Sequence, residues 1–205
     1  MSAFEFFFSF YGLLLGFSVA ELVGGFARLI HERRAVVFGL LTPLLGVVLA
    51  IDIASFWVQA WLIFRGAPFN YALLILGLVV ASLFYVAATL VVPRDLAQWP
   101  SLDEHFWAHR RWVLLCAFGA NIGMFTAMLL FASRSGELGR IFDLASYLQI
   151  GFFMTATLAA AIVRQRWLVL TLLVLLVAYQ AWGIVRHGIG LMNAEPWLLL
   201  GPVAG

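Results

Sequence analysis

Apolar stretches of about twenty residues recur six times along this chain, and that spacing fixes its solvent before any motif is considered. A helix rises about 1.5 Å per residue and needs about 20 apolar residues to cross a hydrocarbon layer of roughly 30 Å. Inside that layer the backbone must satisfy its own N–H and C=O groups, so each run predicts a helix. The helices are expected near residues 4–29, 35–64, 69–92, 106–132, 141–163 and 167–185. The fold class is therefore all-α, a polytopic transmembrane bundle of six helices forming a single integral-membrane domain over residues 1–205. The short apolar tail 188–205 is too short to span and is expected to lie at the interface. Composition agrees: the chain is 64% hydrophobic and 11% charged, where soluble domains carry about 45–50% and 25%. Pro43 lies inside the second run and predicts a kink there.

The connections set the orientation. Arg28, Arg33, Arg34, Arg94, Arg110, Arg111, Arg164 and Arg166 fall on one side, and Arg65, Arg134, Arg140 and Arg186 on the other. The positive-inside rule makes the first side cytoplasmic and both termini periplasmic. Every Lys or Arg position is arginine, a codon bias that suits a GC-rich bacterial genome, and the expected location is the bacterial inner membrane. Trp57, Trp61, Trp99, Trp107, Trp112, Trp167 and Trp182 fall near expected helix ends, where interfacial anchors belong. The N-terminus lacks a basic n-region and its apolar run is too long for a signal peptide, so it reads as the first span. The pI near 9.0 reports the flanking arginines. No basic cluster interleaved with aromatics suggests nucleic acid, and the expected partner is the lipid bilayer. The single Cys116 excludes an internal disulfide.

Helix 1 carries Gly12, Gly16, Ala20 and Gly24 at four-residue steps. A face without bulk lets another backbone come close, either within the chain or across a homo-oligomer or partner seam. Ser18, Glu21 and Gly25 share a face beside that strip. Glu21 lies roughly 13 Å from the expected cytoplasmic end. A carboxylate at that depth is costly unless protonated, paired or wetted, and Arg28, seven residues on, is the pairing alternative.

Asp52 lies about 18 Å from the other end of helix 2. With Ser55 and Gln59 it forms a polar stripe on one side of the helix. Asn121, Gln149, Tyr179 and Gln180 fall at comparable depth in helices 4, 5 and 6, so a polar layer around Asp52 is expected. That layer reads either as an ion pathway or as an interhelical hydrogen-bond network. His105 and His109, one turn apart, and His31 from the first loop lie on one side of the membrane. Their spacing is compatible with a shared metal but lacks the intervening glutamate of zinc-protease helices, and solvated interfacial histidines are the simpler reading. No nucleophile motif or phosphate-binding loop appears, and no cofactor is required by the sequence.

These features lead to a small channel or carrier for a proton or small cation, with Asp52 on the outer part of the path and Glu21 on the inner part. The alternative is a non-catalytic membrane subunit or scaffold that packs against itself or a partner complex. A metalloenzyme built on the histidines is a third reading.

Overall fold

A computed structural model describes residues 3–32, 37–64, 70–135 and 144–193. Among them the chain forms six α-helices: α1 (Ala3–His31), α2 (Leu41–Phe64), α3 (Tyr71–Val91), α4 (Leu102–Ser135), α5 (Leu144–Ile162) and α6 (Arg166–Asn193), with a 3-10 turn at Leu96–Gln98. Five of them are long and apolar enough to cross a membrane. In α5 the apolar stretch among the described residues is the shorter Tyr147–Ile162, so five spans stand and the sixth rests on an apolar stretch below the usual spanning length. These dimensions are those of a multi-pass membrane protein.

Local chemistry explains the helix ends. The Asn70 side chain accepts a hydrogen bond from the Leu73 amide at 2.9 Å, capping α3. Val92 is extended (φ −114°, ψ 131°), as a residue before proline prefers, so Pro93 ends the helix. Ser101 Oγ accepts from the Glu104 amide at 3.2 Å, and the Ser-x-x-Glu spacing is that of a capping box. Helix α4 therefore begins four residues earlier than the apolar run predicts, and the expected loop before it is shorter. Likewise α6 continues to Asn193, so residues 188–193 extend the last helix. The rest of the expected tail, 194–205, lies outside the described residues.

Pro43 requires a correction. The second helix does not start near residue 35 and kink at Pro43; it starts at Leu41. Pro43 stands in the first turn, where a backbone N–H has no intrahelical partner anyway, so nothing is broken. The preceding segment is held against α4 instead. Val37 O accepts from the Leu102 amide at 3.1 Å, and Thr42 Oγ1 donates to Leu102 O at 3.2 Å. Gly39 permits this approach, since a Cβ there would stand 1.9 Å from Asp103 Oδ1.

The helices alternate in direction. Gly46 of α2 lies under the Phe26 ring of α1, and Gly25 of α1 meets Val92 just past α3. Arg110 of α4 reaches Ala160 and Val163 at the end of α5. Asp103 pairs with Arg166 at 2.7 Å at the start of α6. One end of the bundle thus gathers the ends of α1, α3 and α5 and the starts of α2, α4 and α6. It is also the arginine-rich end. Helices α1, α3, α4 and α5 lie side by side, α2 packs across α1, α3 and α4, and α6 rests on α2 and α5. The most enclosed of the five spans is α2, which places Asp52 at the centre.

Candidate functional site

Asp52 sits midway along α2 and is 4% exposed. Its flanking apolar turns bury Leu49, Ile53 and Phe56 around it, so the carboxyl cannot swing out to lipid headgroups. Asn121 Nδ2 donates to Asp52 Oδ2 at 2.9 Å and also to Ala117 O, one turn back in its own helix, at 2.9 Å. That second bond fixes the amide orientation. Asp52 makes no ion pair among the described residues.

Tyr11 of α1 is 2% exposed and stacks on Phe7 with centroids 5.8 Å apart, and its hydroxyl has no hydrogen-bond partner among the described residues. Gln180 of α6 packs against α2 one turn from Asp52. Its Nε2 donates to Val48 O, one turn before Asp52, at 3.3 Å, while its Oε1 is buried without a partner. Thr157 Oγ1 of α5 is buried and unpartnered as well. Unsatisfied buried polar atoms are uncommon in folded proteins, and each calls for an explanation such as an exchangeable water, ion or proton.

The polar layer is smaller than the sequence suggests. Asp52 and Asn121 touch, and Gln180 lies on the same helix surface one turn away. Ser55 and Gln59 are half-buried farther along α2, and Gln149 is half-buried on α5. Tyr179 turns its ring onto Phe152 and Phe153, with centroids 5.3 and 6.3 Å apart. Tyr11 was hidden in a phenylalanine-rich run; the available signal was its seven-residue spacing from Ser18, which shares the buried face.

Glu21 lies elsewhere. It pairs loosely with Arg28, Oε1 to Nη2 at 3.8 Å, and lines a cleft between α1 and α3 with Leu14, Phe17, Ala20, Ala81, Ser82, Tyr85 and Val86. The glycine strip divides too. A Cβ at Gly12 would touch Trp57 of α2 at 3.4 Å, whereas Gly16 has nothing within 4 Å and Ala20 is exposed. The tight seams use other glycines: Gly25 against Val92, Gly46 against Phe26, and Gly77 against Phe7.

The histidines form an aromatic cluster at the arginine-rich end. His105 and His109 stack at 4.3 Å with a 23° interplanar angle, and the Trp99 ring meets both edge-on. His109 Nδ1 is engaged with His105 O at 3.1 Å. His31 is exposed. No group of three or more His, Cys, Asp or Glu side chains placed to hold a metal occurs among the described residues.

Arg110, beside that cluster, was also missed. It is 2% exposed, donates from Nη1 and Nη2 to the Ala160 and Val163 carbonyls, and lies 4.3 Å from the Trp107 ring centroid. It ties α4 to the C-terminal end of α5, where unpaired carbonyls favour a cation. Comparison of the chain with protein-family models, with curated proteins and with solved structures finds no match.

Proposed function

We propose that this chain is a small membrane transport protein that takes up and releases a proton at Asp52. The carrying observation is the enclosed carboxyl at mid-helix, bonded to an amide donor and to no cation among the described residues. A charged carboxylate is expensive in such a place, and gaining a proton removes the charge without any other rearrangement. A proton fits better than a metal cation. The N–H of Asn121 occupies a carboxylate oxygen, and an amide donor repels a cation at the same point. Gln180 supplies a buried carbonyl with free hydrogen-bonding capacity one turn from Asp52, and Tyr11 a buried hydroxyl on α1. The setting is a bacterial inner membrane with the arginine-rich end cytoplasmic and, if α5 crosses with the others, both termini periplasmic.

The test is proton flux into proteoliposomes loaded with a pH-sensitive dye, driven by a potassium diffusion potential. Wild-type protein should acidify the lumen and Asp52→Asn should not. Equal flux from the variant, or wild-type flux no greater than that of empty liposomes, sinks the proposal. A second reading, a membrane subunit that docks on a copy or partner, draws on the outward-facing Gly16 and Ala20. A stoichiometric membrane partner after mild-detergent purification favours it.

A further inference from the structure

Helix α5 ends at Ile162 and α6 begins at Arg166, and the two helix ends at this turn are answered unequally. On the α5 side the last carbonyls take a cation, since Arg110 Nη1 and Nη2 donate to Ala160 O and Val163 O. On the α6 side the first amides have no intrahelical partner and form the positive end of a helix dipole, where an acid is favoured. The first turn of α6 holds no acidic residue. Arg164 and Arg166 flank its start instead.

Positive charge accumulates at this junction. The Arg164 amide belongs to the same peptide group as the Val163 carbonyl that Arg110 grips, so its backbone abuts that guanidinium. Arg111 follows Arg110 on α4. Asp103 matches Arg166 at 2.7 Å. Arg110, Arg111 and Arg164 have no ion pair among the described residues, and Arg110 Nε is buried without an acceptor. Arg111 and Arg164 are exposed. The junction therefore calls for an anion from outside the chain.

Its surroundings say which kind. Trp112 is 64% exposed and Trp167 79%, and indole rings beside a span sit at headgroup level. Leu115 is exposed one turn deeper than Arg111 on α4, and Ile162 is exposed just before Arg164 on α5. Arginines at the helix ends with apolar side chains beneath them repeat the order of a phospholipid, headgroup first and acyl chain inward.

We infer that the junction of α4, α5 and α6 binds an anionic phospholipid, with its phosphate at Arg111 and Arg164 and an acyl chain along Leu115 and Ile162. The planar guanidinium fork matches phosphate oxygens, and basic sites between membrane helices are suited to anionic headgroups. This site lies at the arginine-rich end of the bundle rather than at Asp52, and it stands whether or not protons move there.

The experiment reconstitutes the full chain in nanodiscs holding equal parts of phosphatidylglycerol and phosphatidylcholine, then measures retained lipid by native mass spectrometry. The wild type should retain phosphatidylglycerol over phosphatidylcholine on the order of tenfold, at about 1 kcal/mol for each arginine near the surface. The double variant Arg111→Gln, Arg164→Gln should bring the two lipids to parity. Arg94→Gln, which removes an exposed arginine from the α3–α4 connection instead, should keep the preference. Equal retention of both lipids by the wild type overturns the inference, as does an undiminished preference in the double variant. An equal loss in Arg94→Gln also overturns it, because any surface arginine would then do. So does loss of the lipid preference in excess inorganic phosphate, which would make this a site for soluble phosphate. The wild-type comparison and Arg94→Gln decide the matter even where the double variant fails to fold.

Discussion

Replacing Arg110 with methionine keeps a long stem in the space between α4 and α5 and removes the guanidinium. Two hydrogen bonds to backbone carbonyls go with it, Ala160 and Val163 at the end of α5. A hydrogen bond to a charged group contributes about 1.5–3 kcal/mol, and a cation held over an indole ring about 1 kcal/mol. Against these stands the cost of desolvating a guanidinium that has no carboxylate beside it among the described residues, several kcal/mol in general. The carbonyls tip the balance, because their own helix has ended and methionine offers them no donor. The net expectation is a loss of about 2–4 kcal/mol. At roughly 2–4 °C per kcal/mol for a chain of this size, the melting midpoint in mild detergent should fall by about 4–16 °C. Arg110→Lys keeps the charge but not the fork that spans two acceptors, so its loss should be smaller. A wild-type midpoint for Arg110→Met would show that the carbonyls do as well without the guanidinium, and the clamp argument would be wrong.

Other consequences can be checked with the same melting assay. Gly25→Val should destabilise by about 1–3 kcal/mol through overpacking, since even a Cβ comes within 3.0 Å of Val92. Gly39→Ala should cost more than Asp103→Asn: the first drives a methyl to 1.9 Å from Asp103 Oδ1, while the second removes a pair whose arginine is largely exposed and so is worth about 0–1 kcal/mol. Ser101→Ala should lower stability by about 1 kcal/mol through loss of the α4 cap. Asn121→Leu should cost about 1–3 kcal/mol by stranding the Asp52 carboxyl, and Asp52→Leu added to it should recover most of that loss; no recovery in the double variant would refute the pairing.

The helices were legible because lipid imposes one requirement on every residue of a span, and hydropathy reports it directly. The Asp52–Asn121 pair was legible for a related reason: polar groups at equal depth on different helices have few places to go but toward each other. What failed was anything decided by which way a side chain faces. Arg110 and Arg111 are adjacent and both satisfy the positive-inside rule, yet one is buried and the other exposed. The start of α2 was misread because Val37, Phe38 and Leu40 are as apolar as the helix that follows, so hydropathy runs through the break. Only Gly39 and the placement of Pro43 as a first-turn residue marked it. The start of α4 was written in Ser101 and Glu104 but stood behind Trp99 and Pro100, where the apolar run had not begun.

The face of α1 also decides how the two membrane acids relate. Tyr11, Leu15, Ser18, Leu22 and Leu29 turn inward. Glu21 sits at the edge of this face, beside Leu14 and Phe17, and looks into the lateral cleft. A sequence-based path from Asp52 to Glu21 would therefore have to pass through α1 rather than along it. The two acids are better treated as independent groups with different neighbours: the Asn121 amide for one, Arg28 and an open cleft for the other. Independence has a measurable form, because distant sites without shared partners combine additively. Glu21→Gln should leave proton flux unchanged, and adding it to Asp52→Asn should make the flux loss no larger than that of Asp52→Asn alone. A flux defect in Glu21→Gln as large as that in Asp52→Asn would join the two acids in one pathway and refute this division of the bundle.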